Sequence, residues 1–200
     1  KDKPKTGDKI VILGGENYRI GMGGAAVSSA DTGEFAPGIE LNAVQRSNPE
    51  MQKRVANTVR AAVEADENPI VSIHDHGAGG HLNCLSELIE EVGGNIALNK
   101  LPVGDQTLSA KEIIGNESQE RMGLITDAKG LEQLKEIAER EILLTSIRKD
   151  LGVLQPFSKE WYNRLKQAEL ELGSYLGAAE NKHERDKDEL HLFYNKHILK

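Results

Sequence analysis

Apolar positions along this 200-residue chain change period several times, and each change predicts an element. Lys9 to Leu13 is a short apolar run closed by Gly14-Gly15, the pattern of a buried strand entering a tight loop. From Pro49, the positions Met51, Val55, Val59, Ala62 and Val63 recur at helical spacing, with Ser47 or Asn48 as N-cap and Pro49 in the first turn. Pro69 to Ile73 is rich in β-branched residues and predicts a second buried strand. The turn Gly77–Gly80 follows it and leads into a helix carrying Leu82, Leu85, Leu88, Ile89 and Val92, stopped by Gly93-Gly94.

The spacing further predicts a short strand at Ile96–Leu98, a short helix at Ser109–Ile114 and a strand at Met122–Ile125. A helix follows, built on Leu131, Leu134, Ile137 and Ala138. Strands interleaved with helices imply a layered α/β or α+β domain. After Glu141 the glycines thin out, so the expected division is a domain at 1–141 and a helical tail at 142–200. In the tail, Trp161, Leu165, Ala168, Leu172 and Tyr175 mark a long amphipathic helix opening near Ser158. Asn181–Glu189 is densely charged, and Leu190, Phe193, Tyr194, His197 and Ile198 form a last apolar stripe. The two stripes are expected to pack as an antiparallel helical pair.

A hydrophobic content of 38% supports one ordinary core or a smaller domain with an appendage. The net charge of −7, with no Lys/Arg cluster, argues against a nucleic-acid groove, which must neutralise backbone phosphates. No apolar run approaches the ~20 residues that span a bilayer, so no membrane partner is expected. The single cysteine, Cys84, excludes an intramolecular disulfide and fits a reducing compartment, with the cytoplasm as the expectation. The chain starts at Lys1, not Met, and is expected to be a piece of a longer polypeptide.

Two polar runs carry the candidate chemistry. In Ile73-His74-Asp75-His76-Gly77-Ala78-Gly79-Gly80, an acid leaves an apolar strand into a glycine-rich turn, where a cation and a phosphate could meet. The plainer reading has Asp75 capping the next helix. In Asn116-Glu117-Ser118-Gln119-Glu120-Arg121, two acids, two amides, a hydroxyl and a guanidinium sit between apolar segments; an exposed capping turn would explain part of it. His74, His76 and His81 with Cys84 invite a zinc reading, but no second cysteine or CxxC accompanies them, and histidines lining a polar pocket or satisfied at the surface are favoured. Gly21-Met22-Gly23-Gly24-Ala25-Ala26 loosely matches a dinucleotide fingerprint with Glu40 downstream. That fingerprint needs a strand directly before it and a helix directly after it, and residues 16–19 and 31–37 read as loop. Gln45-Arg46 precede a helix N-terminus and could address an anion with it; a solvated helix entrance competes with that reading.

Together, Val44-Gln45-Arg46-Ser47-Asn48-Pro49-Glu50-Met51, the Ile73–Gly80 run and the Asn116–Arg121 run resemble phosphoribosylformylglycinamidine synthases of the large, single-chain type, over residues 7–141. The resemblance implies an α+β fold: the carboxy-terminal half of an aminoimidazole-ribonucleotide-synthetase-like unit, three-layer α/β/α and related to a ferredoxin-like fold. It implies an ATP-dependent, glutamine-hydrolysing ligase of purine biosynthesis, with formylglycinamide ribonucleotide as substrate and Mg²⁺ and ATP as cofactors. By motif, Gln45 would contact the ribonucleotide, Asp75 would bind Mg²⁺, and Glu117, Ser118 and Gln119 would line the substrate pocket. The family's nucleotide-binding half, linker domain and glutaminase domain are missing here, so the piece is expected to be inactive alone. Two alternatives stand beside this reading: another ATP-dependent member of the superfamily, and a non-catalytic interaction module. A homodimer through an exposed part of the sheet is compatible with either.

Overall fold

The computed structural model describes residues 3–19, 27, 30–42, 48–155 and 158–178. Gln45, Arg46, the glycine-rich run Gly21–Ala26, and the tail stripe from Leu190 to Ile198 with the charged run before it lie outside the described residues. The chain divides into two compact units, Lys1–Glu141 and Ile142–Lys200.

The first unit is α+β. Three strands, β1 (Lys9–Leu13), β2 (Ser72–Asp75) and β3 (Met122–Thr126), form an antiparallel sheet in the order β1-β3-β2. The helices are α1 (Pro37–Asn42), α2 (Pro49–Val63), α3 (Gly80–Leu88), α4 (Ala110–Ile114) and the start of α5 (Ala128–Val153). Strand alternation sorts the core into two layers. Leu124, Val11, Leu13 and Ile73 face Ala62 of α2 and Leu134 and Ile137 of α5, whereas Ile125, Ile10 and Ile12 face Cys84, Leu85 and Leu88 of α3. The sheet thus lies between helices on both faces.

Several ends differ from the sequence expectation. The second strand begins at Ser72, not Pro69. Pro69 has no N–H to give a ladder, and its carbonyl accepts instead from the Thr126 hydroxyl at 2.7 Å. Ile96–Leu98 is not a strand: a 3-10 turn occupies Leu98–Lys100, and only an isolated bridge, Asn17 to Val103, forms nearby. Val63 and Leu82 were assigned to buried stripes but are 53% and 55% exposed, and Val92 lies beyond the end of α3. Asn48 caps α2, accepting from the Met51 amide at 3.0 Å, and Ser109 and Glu112 close a reciprocal capping box on α4.

The helix built on Leu131, Leu134, Ile137 and Ala138 runs past the expected domain limit at Glu141, to Val153. No glycine or proline interrupts 131–151, and Leu143, Leu144, Ile147 and Leu151 continue an apolar stripe. In the second unit that stripe packs on α6 (Lys159–Ala178) through Trp161, Leu165, Ala168 and Leu172. Arg164 ties the pair, bonding Asp150 at 2.7 Å and Glu171 at 3.1 Å. The first tail stripe therefore packs on α5; the second stripe and the Tyr175 side chain are outside the described residues.

Candidate functional site

The site is assembled where β2 ends and β3 begins. Because these strands are antiparallel, Asp75, the last residue of β2, sits opposite Met122, the first of β3. The sequence expectation placed Asp75 at the carboxyl end of a ligand-binding sheet by the rule for open α/β sheets. An antiparallel sheet has no common carboxyl end, so here pairing register alone puts the two motifs side by side.

The glycine turn locks onto the second motif. Asp75 Oδ1 accepts from the Gly77 amide at 2.8 Å, closing an Asx turn. Gly79 and Gly80 then take φ of +82° and +57°, a left-handed conformation open to glycine. A Cβ on Gly80 would stand 2.4 Å from the Asn116 carbonyl oxygen. Main-chain bonds complete the joint: the Ser118 amide donates to the His76 carbonyl at 3.3 Å and the His76 amide to the Arg121 carbonyl at 3.2 Å. Glu117 Oε1 accepts from the Gly79 amide at 3.1 Å, placing a carboxylate at the positive end of α3. An internal acid thus occupies part of a helix terminus that would otherwise favour a phosphate.

Beneath this joint lies a polar core. Arg121 is 1% exposed and donates to the Asn116 carbonyl at 2.9 Å and, through its other terminal nitrogen, to the Gly15 carbonyl at 3.4 Å. A Cβ on Gly14 would meet the Arg121 Cγ at 2.9 Å, so a glycine at this position leaves room for the side chain. Burial pulls its guanidinium down to about 10. His76 and His81 are both fully buried and meet edge to face, with ring centroids 4.7 Å apart. Burial depresses them to about 2 and about 3; in His76 the neighbouring His81 adds to the effect, and in both the Arg121 charge does. His81 Nε2 lies 2.9 Å from Asn17 Oδ1, and Asn17 Nδ2 donates to the Pro102 carbonyl at 2.8 Å. The amide oxygen can only accept, so Nε2 carries the proton and Nδ1 is a bare acceptor.

The structure brings Asp75, Glu117, Ser118 and Gln119 to one end of the sheet. Asp75 and Gln119 are exposed, while Glu117 and Ser118 are 2% and 4% exposed. Gln45 lies outside the described residues. His74 bridges the Asp75 carbonyl at 2.7 Å and Glu87 at 2.6 Å. The zinc reading does not hold: among the described residues no group of three or more His, Cys, Asp or Glu could hold a metal ion. Cys84 is 1% exposed, and burial pushes its thiol up to about 12, so it packs against the sheet. Sequence reasoning gave Asn17, Glu120 and Arg121 no separate role. Their only signal was polarity, and what makes them central is long-range contact: Asn17 with His81 and Pro102, 64 and 85 residues away, and Arg121 with Gly15, 106 residues away.

Known proteins match this α+β domain in sequence and fold. Residues 5–147 fit the model for the AIR synthase related protein, C-terminal domain, and the chain belongs to that family. It is similar to the phosphoribosylformylglycinamidine synthase of Dictyostelium discoideum (40% identity over 167 residues, 80% of this chain and 12% of the relative). It is also similar to the Homo sapiens protein of that name (41% over 143 residues, 70% and 11%). Among solved structures, Thermotoga maritima PurL complexed with FGAR aligns with a TM-score of 0.61 at 32% identity, over 70% of this chain and 23% of that one. The chain therefore spans about a tenth of the length of the curated relatives it matches. No described helix is long and apolar enough to cross a membrane.

Proposed function

We propose that this chain is the carboxy-terminal half, residues 1–141, of an aminoimidazole-ribonucleotide-synthetase-like unit, with residues 142–200 as a helical tail. The whole protein would be a cytoplasmic, ATP-dependent phosphoribosylformylglycinamidine synthase. It would convert formylglycinamide ribonucleotide, glutamine and ATP to the amidine, a step of de novo purine biosynthesis. The observation that carries this reading is the joint between the 73–80 and 116–121 runs, which holds Asp75 and Gln119 exposed beside each other's motifs on a rigid buried base.

Mg²⁺ binds through one or two carboxylates plus substrate oxygens and waters, and one exposed carboxylate, Asp75, fits that demand. When bound, the ion would neutralise phosphate charge. The chain's own part is positioning: the Asx turn orients Asp75, the Glu117–Gly79 bond fixes the turn after it, and Arg121 holds the substrate-side segment in place. Gln45 and Gln119 would add hydrogen bonds to the ribonucleotide. The nucleotide-binding and glutaminase parts would come from the rest of the polypeptide, so the piece by itself lacks a phosphoryl donor site.

The test is amidine formation from ATP, ammonia and formylglycinamide ribonucleotide. The 200-residue chain should be inactive, and in the full-length protein Asp75→Asn should lower kcat/KM and raise the Mg²⁺ needed for half-maximal rate. Turnover by the purified short chain that Asp75→Asn abolishes would overturn the division of labour. A second reading, an interaction module, draws on the helical unit, most of which lies beyond the family match and which exposes Val153 and Leu170 at 85% and 71%.

A further inference from the structure

On the α3 side of the sheet lies a cavity of about 730 Å³ that shares none of Asp75, Glu117, Ser118 or Gln119. Helix α3 does not cover the whole width of this face. The part beside the edge strand β1 is left as a trough between residues 4–15 on one side and 93–102 on the other. Its floor is aliphatic, made by Ile10, Ile12, Leu85 and Ile89, with Ile96 and Leu101 on the far wall. That size and lining match small-molecule sites, which are mostly apolar with a few polar groups.

The charges around it are one-sided. Lys5, Lys9, Lys100 and Arg121 line the cavity, with Asp8 as the one acid, in a chain of net charge −7. Asp8 is engaged, its Oδ2 accepting from the Lys5 amide at 2.8 Å. Lys3, Lys129 and Lys135 all sit in ion pairs, yet among the described residues Lys5, Lys9 and Lys100 have none. At the end where β1 leaves the sheet, the wall is Gly14, Gly15, His81 and Arg121. Arg121 there is a buried cation hydrogen-bonded to carbonyl and amide oxygens and to no carboxylate, although buried Glu120 lies within its field; its Nε has no acceptor, and His81 Nδ1 has no donor. Glu120 offsets part of the Arg121 charge, and the unpaired Lys5, Lys9 and Lys100 add to what remains, a net positive field that favours an anion nearby.

We infer that this trough is a second ligand site, for a small molecule that carries a carboxylate or phosphate on an apolar body. The body lies on Ile10, Ile12, Leu85 and Ile89, and the anion sits at the Lys9 and Lys100 rim within the field of Arg121. The site lies apart from the residues assigned to the ribonucleotide and to Mg²⁺, and stands independently of that assignment.

The probes are two dyes titrated into the 200-residue chain: anionic 1-anilinonaphthalene-8-sulfonate and its neutral relative N-phenyl-1-naphthylamine. The anionic dye should bind at one site per chain and more tightly than the neutral one. Lys9→Glu with Lys100→Glu should weaken the anionic dye by roughly tenfold or more, the equivalent of about 1.4 kcal/mol, and leave the neutral dye unchanged. Ala97→Trp, at an exposed position on the rim, should block both dyes with near-UV circular dichroism preserved, which separates site binding from dye uptake by a loosened core. Decanoate and decyl phosphate should displace the anionic dye, and whichever does so at lower concentration identifies the head group; inorganic phosphate and ATP should not. Equal affinity for the two dyes, binding unaffected by the double charge reversal, or displacement by inorganic phosphate as effective as by decyl phosphate would each overturn the inference.

Discussion

Glu117 accepts a hydrogen bond from the Gly79 amide at 3.1 Å, across 38 residues of sequence, with the acid 2% exposed. This bond fastens the 116–121 turn to the entrance of α3, so the two runs that carry the candidate chemistry cannot move independently. Replacing Glu117 by Ala leaves the partly buried Gly79 amide without this acceptor and a hole at the helix entrance. The expected loss is about 1–3 kcal/mol in urea unfolding. Glu117→Gln keeps an acceptor and should lose less; equal losses for the two would remove the bond from the argument.

Gly80 is the tightest point of the joint. Gly80→Ala adds a Cβ 2.4 Å from the Asn116 carbonyl oxygen at a φ of +57°, so both strain and clash oppose it. It should destabilise by more than ~1 kcal/mol. Gly152→Ala is the contrast: that glycine is inside α5, with nothing within 4 Å of an added Cβ, and the change should stabilise by roughly 0.5–1 kcal/mol. Thermal melts of both variants check the pair of signs.

Acid should unfold the first unit earlier than its carboxylates alone would. His76 and His81 sit near 2 and 3 when folded, against 6.5 in a free chain. Below about pH 6.5 the unfolded chain gains protons that the folded chain refuses, so stability is full above that pH and is lost as pH falls. Each histidine contributes a slope of up to about 1.4 kcal/mol per pH unit. Urea midpoints taken from pH 7.5 to 5 should fall accordingly, and His81→Gln should make the dependence shallower. A flat profile in the parent would show that these rings are not neutral and buried in solution.

The single tryptophan reports on the second unit. Trp161 is 6% exposed against Ile147, Leu151, Ala168 and Leu172. Leu172→Ala removes a side chain that is 4% exposed and should cost about 2–5 kcal/mol, shifting Trp161 emission to the red at lower denaturant. Unchanged emission and midpoint would show that α6 does not pack on α5 this way.

Much of the fold was legible in the chain. Period-3.6 spacing located α2 and α3, short apolar runs located all three strands, and Asn48-Pro49 set a helix start, because these signals are local and each residue's own chemistry decides them. The family resemblance was legible too, since it rests on residue identity in three runs. Where local signals were equivocal, the reading erred. Ile96–Leu98 has the composition of a strand but no neighbouring strand to pair with. The length of the helix built on Leu131 to Ala138 was not read from the chain: with no helix breaker before Gly152 it continues past Glu141 to Val153.

What the tertiary structure alone decided is how the motifs meet. Antiparallel pairing of β2 with β3 sets Asp75 opposite Met122, and no local pattern encodes which strands become neighbours. The central role of Arg121 follows from the same cause: a charged side chain reads as solvated in a sequence, and it becomes buried only because Gly14, Gly15 and Asn116 close around it from distant parts of the chain. The sequence thus determined the elements and the chemical groups, through short-range sterics and hydrophobic period. Their convergence into one site, and the aliphatic trough beside β1, depend on long-range pairing, whose energy lies in contacts that exist only once the chain has folded.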